Sequence, residues 1–117
     1  MIDIYYVIDV ASLMLFVETS IFTAELPRWL SDEEYRGLQI YLMEHPDAGD
    51  LIRGSGGIRK IRWAAKGKGK SGGVRVMYYW AKVPEHIYLL TLYGKSERSN
   101  MDAATLKRIA KQLESMK

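Results

Sequence analysis

The amino-acid sequence predicts an α+β fold: an antiparallel β-sheet packed on two N-terminal helices, with a further helix at the C-terminus. Three observations predict it. Positions 58–93 hold three stretches rich in β-branched and aromatic residues, separated by turns containing glycine, lysine or proline. Ahead of them, positions 20–45 carry apolar residues at helical spacing behind the signature Ser31-Asp32-Glu33-Glu34. Behind them, Leu106, Ile109, Ala110 and Leu113 fall on one face of a single helix.

Taken in order, Leu13–Glu18 is apolar and partly β-branched, and reads as a short opening strand. Ser20–Trp29 reads as a helix interrupted or kinked near Pro27, whose ring removes an amide donor. Ser31 is expected to cap the next helix while Glu34 reaches back to the Ser31 amide. Tyr35, Leu38 and Leu42 share one face of that helix, and His45-Pro46 ends it. The glycines from Gly54 to Gly57 mark a turn. In the strand Ile58–Ala65, Ile61 and Trp63 share a face, and alternation sends Lys60 and Arg62 to the other. After a loop over Lys66–Gly73, the strand Val74–Ala81 puts Val74, Val76, Tyr78 and Trp80 on one side. Arg75, Met77 and Tyr79 lie on the opposite side. The turn at Val83-Pro84-Glu85 precedes a strand over Ile87–Tyr93, and Ser99 with Asp102 caps the last helix. One sheet face therefore packs on the paired helices, and the other, bearing Lys60, Arg62 and Arg75, is partly open.

With 117 residues, no repeat and no long linker, the chain is expected to form one domain. Met14 offers a second plausible start, so residues 1–12 are read as an optional extension and 13–117 as the domain. The apolar segment Met1–Phe16 lacks a basic leader and carries Asp3 and Asp9, which points to a cytoplasmic protein with no membrane partner. The chain has no cysteine, which excludes disulfides, thiolate metal sites and a cysteine nucleophile. His45 and His86 are its two histidines, both read as loop residues, so neither a histidine metal cluster nor a cofactor is expected.

Charge is segregated along the chain. Residues 1–50 carry ten acids against Arg28 and Arg36, residues 51–84 carry nine bases and no acid, and residues 85–117 carry six bases and four acids. The segments stand at −8, +9 and +2 within a net charge of +3. A basic block that includes strand positions is the footprint of a polyphosphate partner. Ala64–Ser71 matches a permissive phosphate-loop pattern, with Ala64 in place of the first glycine. A working loop of that kind opens a helix, whereas this one runs into a strand, which argues against nucleotide hydrolysis. Lys66, Lys68 and Lys70 are better read as a basic loop gripping RNA phosphates, with Arg59 beside it.

Lys60, Arg62 and Arg75 form the sharper constellation. Neighbouring strands bring three cations to one sheet face, where like charges repel. An anion between them would relieve that repulsion. RNA cleavage by 2′-hydroxyl attack builds negative charge on the phosphorane, which fixed cations stabilise. Crowding by like charge makes a lysine amine easier to deprotonate, so Lys60 is also a candidate base. Protein cations would supply the charge without a metal. The alternative is a solvent-washed basic face that binds carboxylates of a partner.

Three segments in this order, Gly57–Arg62, Gly73–Tyr78 and Leu92–Ser99, resemble the strand signature of the RelE superfamily. The closest variety is the HigB type with its alternating Lys-Gly loop, and the resemblance spans Leu13 to Met116. It implies a RelE-like toxin that cleaves mRNA in the ribosomal A site, leaving a cyclic phosphate and a 5′-hydroxyl. It also implies silencing by an antitoxin of the HigA type with a helix-turn-helix domain. Lys60 and Arg62 match the family's basic strand pair, Arg75 matches the arginine that contacts the scissile phosphate, and Tyr93 and Lys95 border the site. The chain departs from RelE itself at Ser96, where RelE has arginine, and at Asp102, where it has a tyrosine near the terminus. Those departures leave the general acid and base open among Lys60, Tyr93, Lys95 and the loop lysines. The rival expectations are a non-catalytic member that binds nucleic acid or a protein, as the gyrase-inhibiting ParE relatives do, and an inactive, degenerated toxin, to which the departures at Ser96 and Asp102 point.

Overall fold

A computed structural model describes residues 4–8 by their backbone, and residues 14–64, 73–82, 85–95, 97 and 101–115. The chain runs β1 (Ile4–Ile8), β2 (Leu15–Thr19), α1 (Ser20–Trp29), α2 (Asp32–Glu44), β3 (Asp50–Leu51), β4 (Ile58–Trp63), β5 (Val74–Lys82), β6 (Glu85–Gly94) and α3 (Ala103–Ser115). Six strands form one sheet in the order β1-β2-β6-β5-β4-β3. The architecture is α+β, as the sequence predicts.

Local chemistry sets the helix boundaries. The Thr19 hydroxyl accepts from the Phe22 amide at 3.1 Å and donates to the Leu90 carbonyl at 2.7 Å. One side chain thus caps α1 and ties it to β6. Ser31 and Glu34 form the expected capping box, with bonds of 3.1 and 2.8 Å. The expected interruption at Pro27 does not occur, because Pro27 lies in the last turn of α1, where one lost amide leaves few helical bonds to break. The Asp102 carboxylate accepts from the Thr105 amide at 2.8 Å and caps α3, while Ser99 lies outside the described residues.

The expectation of an antiparallel sheet needs correction, because β2 pairs with β6 in parallel, from Leu15 opposite His86 to Glu18 opposite Leu89. The remaining pairings are antiparallel. The cause is the path of the chain. After β2 it crosses one face as α1 and α2 and returns through the antiparallel run β3 to β6, which leaves β6 pointing along β2. β6 is consequently a central strand, buried without a break from Ile87 to Leu92. The register of β5 and β6 shifts between Met77 and Tyr78, so Leu90 is an extra residue, bulged out of the ladder.

Two cores sandwich the sheet. On one face, α1 and α2 bury Phe22, Leu38 and Leu42 against Phe16, Val74, Val76, Tyr78, Ile87 and Leu89. On the other, α3 buries Leu106, Ala110 and Leu113 against Val17, Ile58, Met77, Tyr88 and Leu90. α3 covers only part of its face. Ile58 is fully buried, whereas Lys60 and Arg62, two and four residues along the same side of β4, are exposed.

Candidate active site

The open end of the α3 face holds the site. Strand register sets Arg62 directly opposite Arg75, and Arg75 directly opposite Tyr93, in one row across β4, β5 and β6. The next row places Asp50 of β3 opposite Lys60 of β4. A pocket of about 480 Å³ lies over these residues, lined by Ala48, Asp50, Lys60, Ile61, Arg62 and Arg75. The three cations singled out in the sequence therefore share one open cavity.

The pocket wall is built by a loop that two side chains hold down. The Arg59 Nη1 donates to the carbonyls of Asp47 at 3.0 Å and Gly49 at 2.8 Å. The Tyr78 hydroxyl accepts from the Gly49 amide at 2.9 Å and donates to the Pro46 carbonyl at 2.8 Å. A Cβ at Gly49 would stand 2.8 Å from a Tyr78 ring carbon, so only glycine allows this approach. The anchored loop delivers Ala48 and Asp50 to the pocket. Burial pushes the Tyr78 phenol above its ordinary pKa, opposed by the hydrogen bond from the Gly49 amide, and keeps it protonated as a donor.

Arg75 is half-buried and its Nη1 donates to the Gly73 carbonyl at 3.4 Å. Beside it, burial pushes the Tyr93 phenol above its ordinary pKa, and the Arg75 charge acts in the opposite sense. Tyr93 packs against the α3 core, so its ring is partly structural.

Of the residues expected from the sequence, Lys60, Arg62 and Arg75 line the pocket and Tyr93 adjoins Arg75. Lys95 is exposed just beyond β6 and is not among the lining residues. Arg59 belongs to the helix side of the sheet, where it braces the loop. Lys66, Lys68 and Lys70 lie outside the described residues. Asp50 was missed: a two-residue strand carries no periodicity that would assign its face.

A family model described as the RelE toxin of the RelE/RelB toxin–antitoxin system matches residues 47–117. The match begins just after α2 and takes in the anchored loop, all of β3 to β6, and α3. Every pocket residue lies within it. The chain belongs to the RelE family of toxins of toxin–antitoxin systems.

Proposed function

We propose that this toxin is a ribosome-dependent mRNA endoribonuclease that halts translation by cutting message in the A site. The observation that carries the reading is the convergence of Lys60, Arg62 and Arg75 on one open pocket with Asp50 on its wall. Two arginines facing each other across a strand pair are unfavourable unless an anion lies between them. A scissile phosphate fits that requirement, and Arg62 and Arg75 would stabilise the charge that grows on its oxygens. Asp50 is the one carboxylate among the described lining residues and accepts the 2′-hydroxyl proton. The 2′-oxygen then bonds to phosphorus and the bond to the 5′-oxygen breaks. Lys60, opposite Asp50, donates the proton that the leaving oxygen takes up. The products are a 2′,3′-cyclic phosphate and a 5′-hydroxyl. The base role considered for Lys60 from the sequence thus passes to its neighbour.

The ribosome supplies what the pocket lacks. The cavity is open, and among the described lining residues none would hold a flexible RNA in line for attack, so substrate geometry comes from the A site. Such a toxin works in the cytoplasm beside a cognate antitoxin, here taken to be of the HigA type with a helix-turn-helix domain. Among the described residues no helix is long and apolar enough to cross a membrane. Residues 13–117 are taken as the toxin domain and residues 1–12 as an extension of it.

The test is to map message ends after controlled expression, with and without translation, for the wild type and Arg75→Ala. Translated message should be cut at A-site codons and untranslated message spared. Arg75→Ala should fold and lose about 10²–10³-fold in rate. A folded Arg75→Ala toxin that cuts at the wild-type rate rules the mechanism out. Growth arrest without any message cleavage would favour the gyrase-inhibitor type of action.

A further inference from the structure

We infer that Tyr41, His45 and Trp63 form a stacking site for an unpaired RNA base, round the edge of β4 from the cationic pocket. This rests on the reading of the toxin as an RNA-binding protein. It adds a subsite on the opposite side of the sheet from the cations.

The three rings make one cluster. Tyr41 and His45, a turn apart at the end of α2, have ring centroids 5.0 Å apart, and Tyr41 and Trp63 have theirs 5.4 Å apart. His45 is exposed, and Tyr41 and Trp63 are half-exposed. Interplanar angles of 45° and 42° make this a tilted cluster with ring faces turned in different directions. Trp63 is fixed in place, since its indole Nε1 donates to the Glu34 carbonyl at 3.0 Å. A rigid, half-exposed aromatic is the surface on which a base stacks, with little conformational entropy to lose.

Two features connect the cluster to the pocket. Trp63 follows Arg62 directly on β4, so ring and guanidinium leave adjacent residues toward opposite faces of the sheet. β3 pairs with β4 only at Arg59 and Lys60, so it stops short of Ile61, Arg62 and Trp63. A single strand can pass round that edge from one face to the other. From the other ring, the loop leaving His45 reaches Ala48 and Asp50 on the pocket wall within five residues. On the β4 side charge favours a nucleic acid, since Trp63 adjoins Arg62 in a stretch, residues 51–84, that contains no acid, while Glu44 and Asp47 flank His45 on the other side of the cluster. The nearby Glu34 carboxylate is turned away to the Ser31 amide.

The experiment titrates full-length toxin with a short single-stranded RNA whose 2′-hydroxyls are methylated, so that it binds without being cut. Tryptophan fluorescence reads binding. A matched RNA carries one abasic position, moved stepwise along the strand. Tyr41→Ala should weaken binding about tenfold, and Tyr41→Phe, which keeps the ring, should stay near wild type. One abasic position should cost the wild type a similar factor and cost Tyr41→Ala nothing further. Wild-type affinity in Tyr41→Ala, or equal abasic penalties in both proteins, overturns the site. So does weakening of antitoxin binding by Tyr41→Ala with RNA affinity unchanged, which would make the cluster a protein-docking surface. Ring-dependent binding by a protein that cuts no message upholds the site and refutes the nuclease, whereas cleavage without ring dependence does the reverse.

Discussion

Tyr35 and Thr23 donate to the two oxygens of Glu18, at 2.6 and 2.7 Å, and so join α1 and α2 to a buried carboxylate on β2. Burial comes first among the causes that push the Tyr35 phenol far above its ordinary value, followed by the hydrogen bond to Glu18 and its charge. In the unfolded chain that phenol ionises near pH 10, while in the folded chain it stays neutral. Its contribution to stability is therefore whole below about pH 10 and is lost progressively as pH rises toward the folded value. Tyr35→Phe should cost about 1–3 kcal/mol at neutral pH, because Glu18 loses a donor in a site that water reaches poorly. It should also flatten the alkaline fall in stability, which denaturant melts across pH would measure. At this scale the legible residues were those with a repeating environment. Alternation assigned Lys60, Arg62 and Arg75 to one face, and the same alternation, applied one residue earlier, puts Arg59 on the other. Asp50 had no such neighbours to reveal its side.

Among the elements, the capping box at Ser31 and the apolar stripe of α3 were readable because both are local patterns, complete within a few turns. The parallel neighbour of β2 was not. Pairing between Leu15 and His86 is set by where the intervening helices travel, and neither strand carries a mark of its partner's direction. The unbroken burial of Ile87–Leu92 is the one local trace of a central strand. β1 lies at the far edge of the sheet, paired only to β2. β2 keeps its pairing to β6 without it, and Met14, at 5 % exposure, already belongs to the helix-side core. A toxin beginning at Met14 should therefore fold with a lower Tm and keep its toxicity. Calorimetry together with a growth assay checks both halves. Loss of toxicity in a folded, truncated chain would instead give residues 1–13 a part in the action.

For the whole molecule, the charge map read from the sequence carries into three dimensions as a cationic pocket at one end of the α3 face. Partners that meet it with carboxylates or phosphates should associate quickly and lose rate as salt rises. Stopped-flow association with the antitoxin across salt concentrations should show a falling on-rate with a much smaller change in off-rate. Arg62→Ala should flatten that dependence. A salt-independent on-rate would move the antitoxin contact to another surface. The position of β6 has a further consequence, which concerns synthesis. The strand at the centre of the sheet is the last strand made, and its neighbours β2 and β5 share no sheet until it arrives. A nascent chain can form the β1–β2 pair and the β3–β5 ladder separately, but each stays an exposed fragment. Joining Leu15 to His86 closes a long loop, which makes it a late event. The Arg62–Arg75–Tyr93 row is completed by the same strand. A chain halted anywhere before β6 thus carries two separate sheet fragments and an unfinished cationic row.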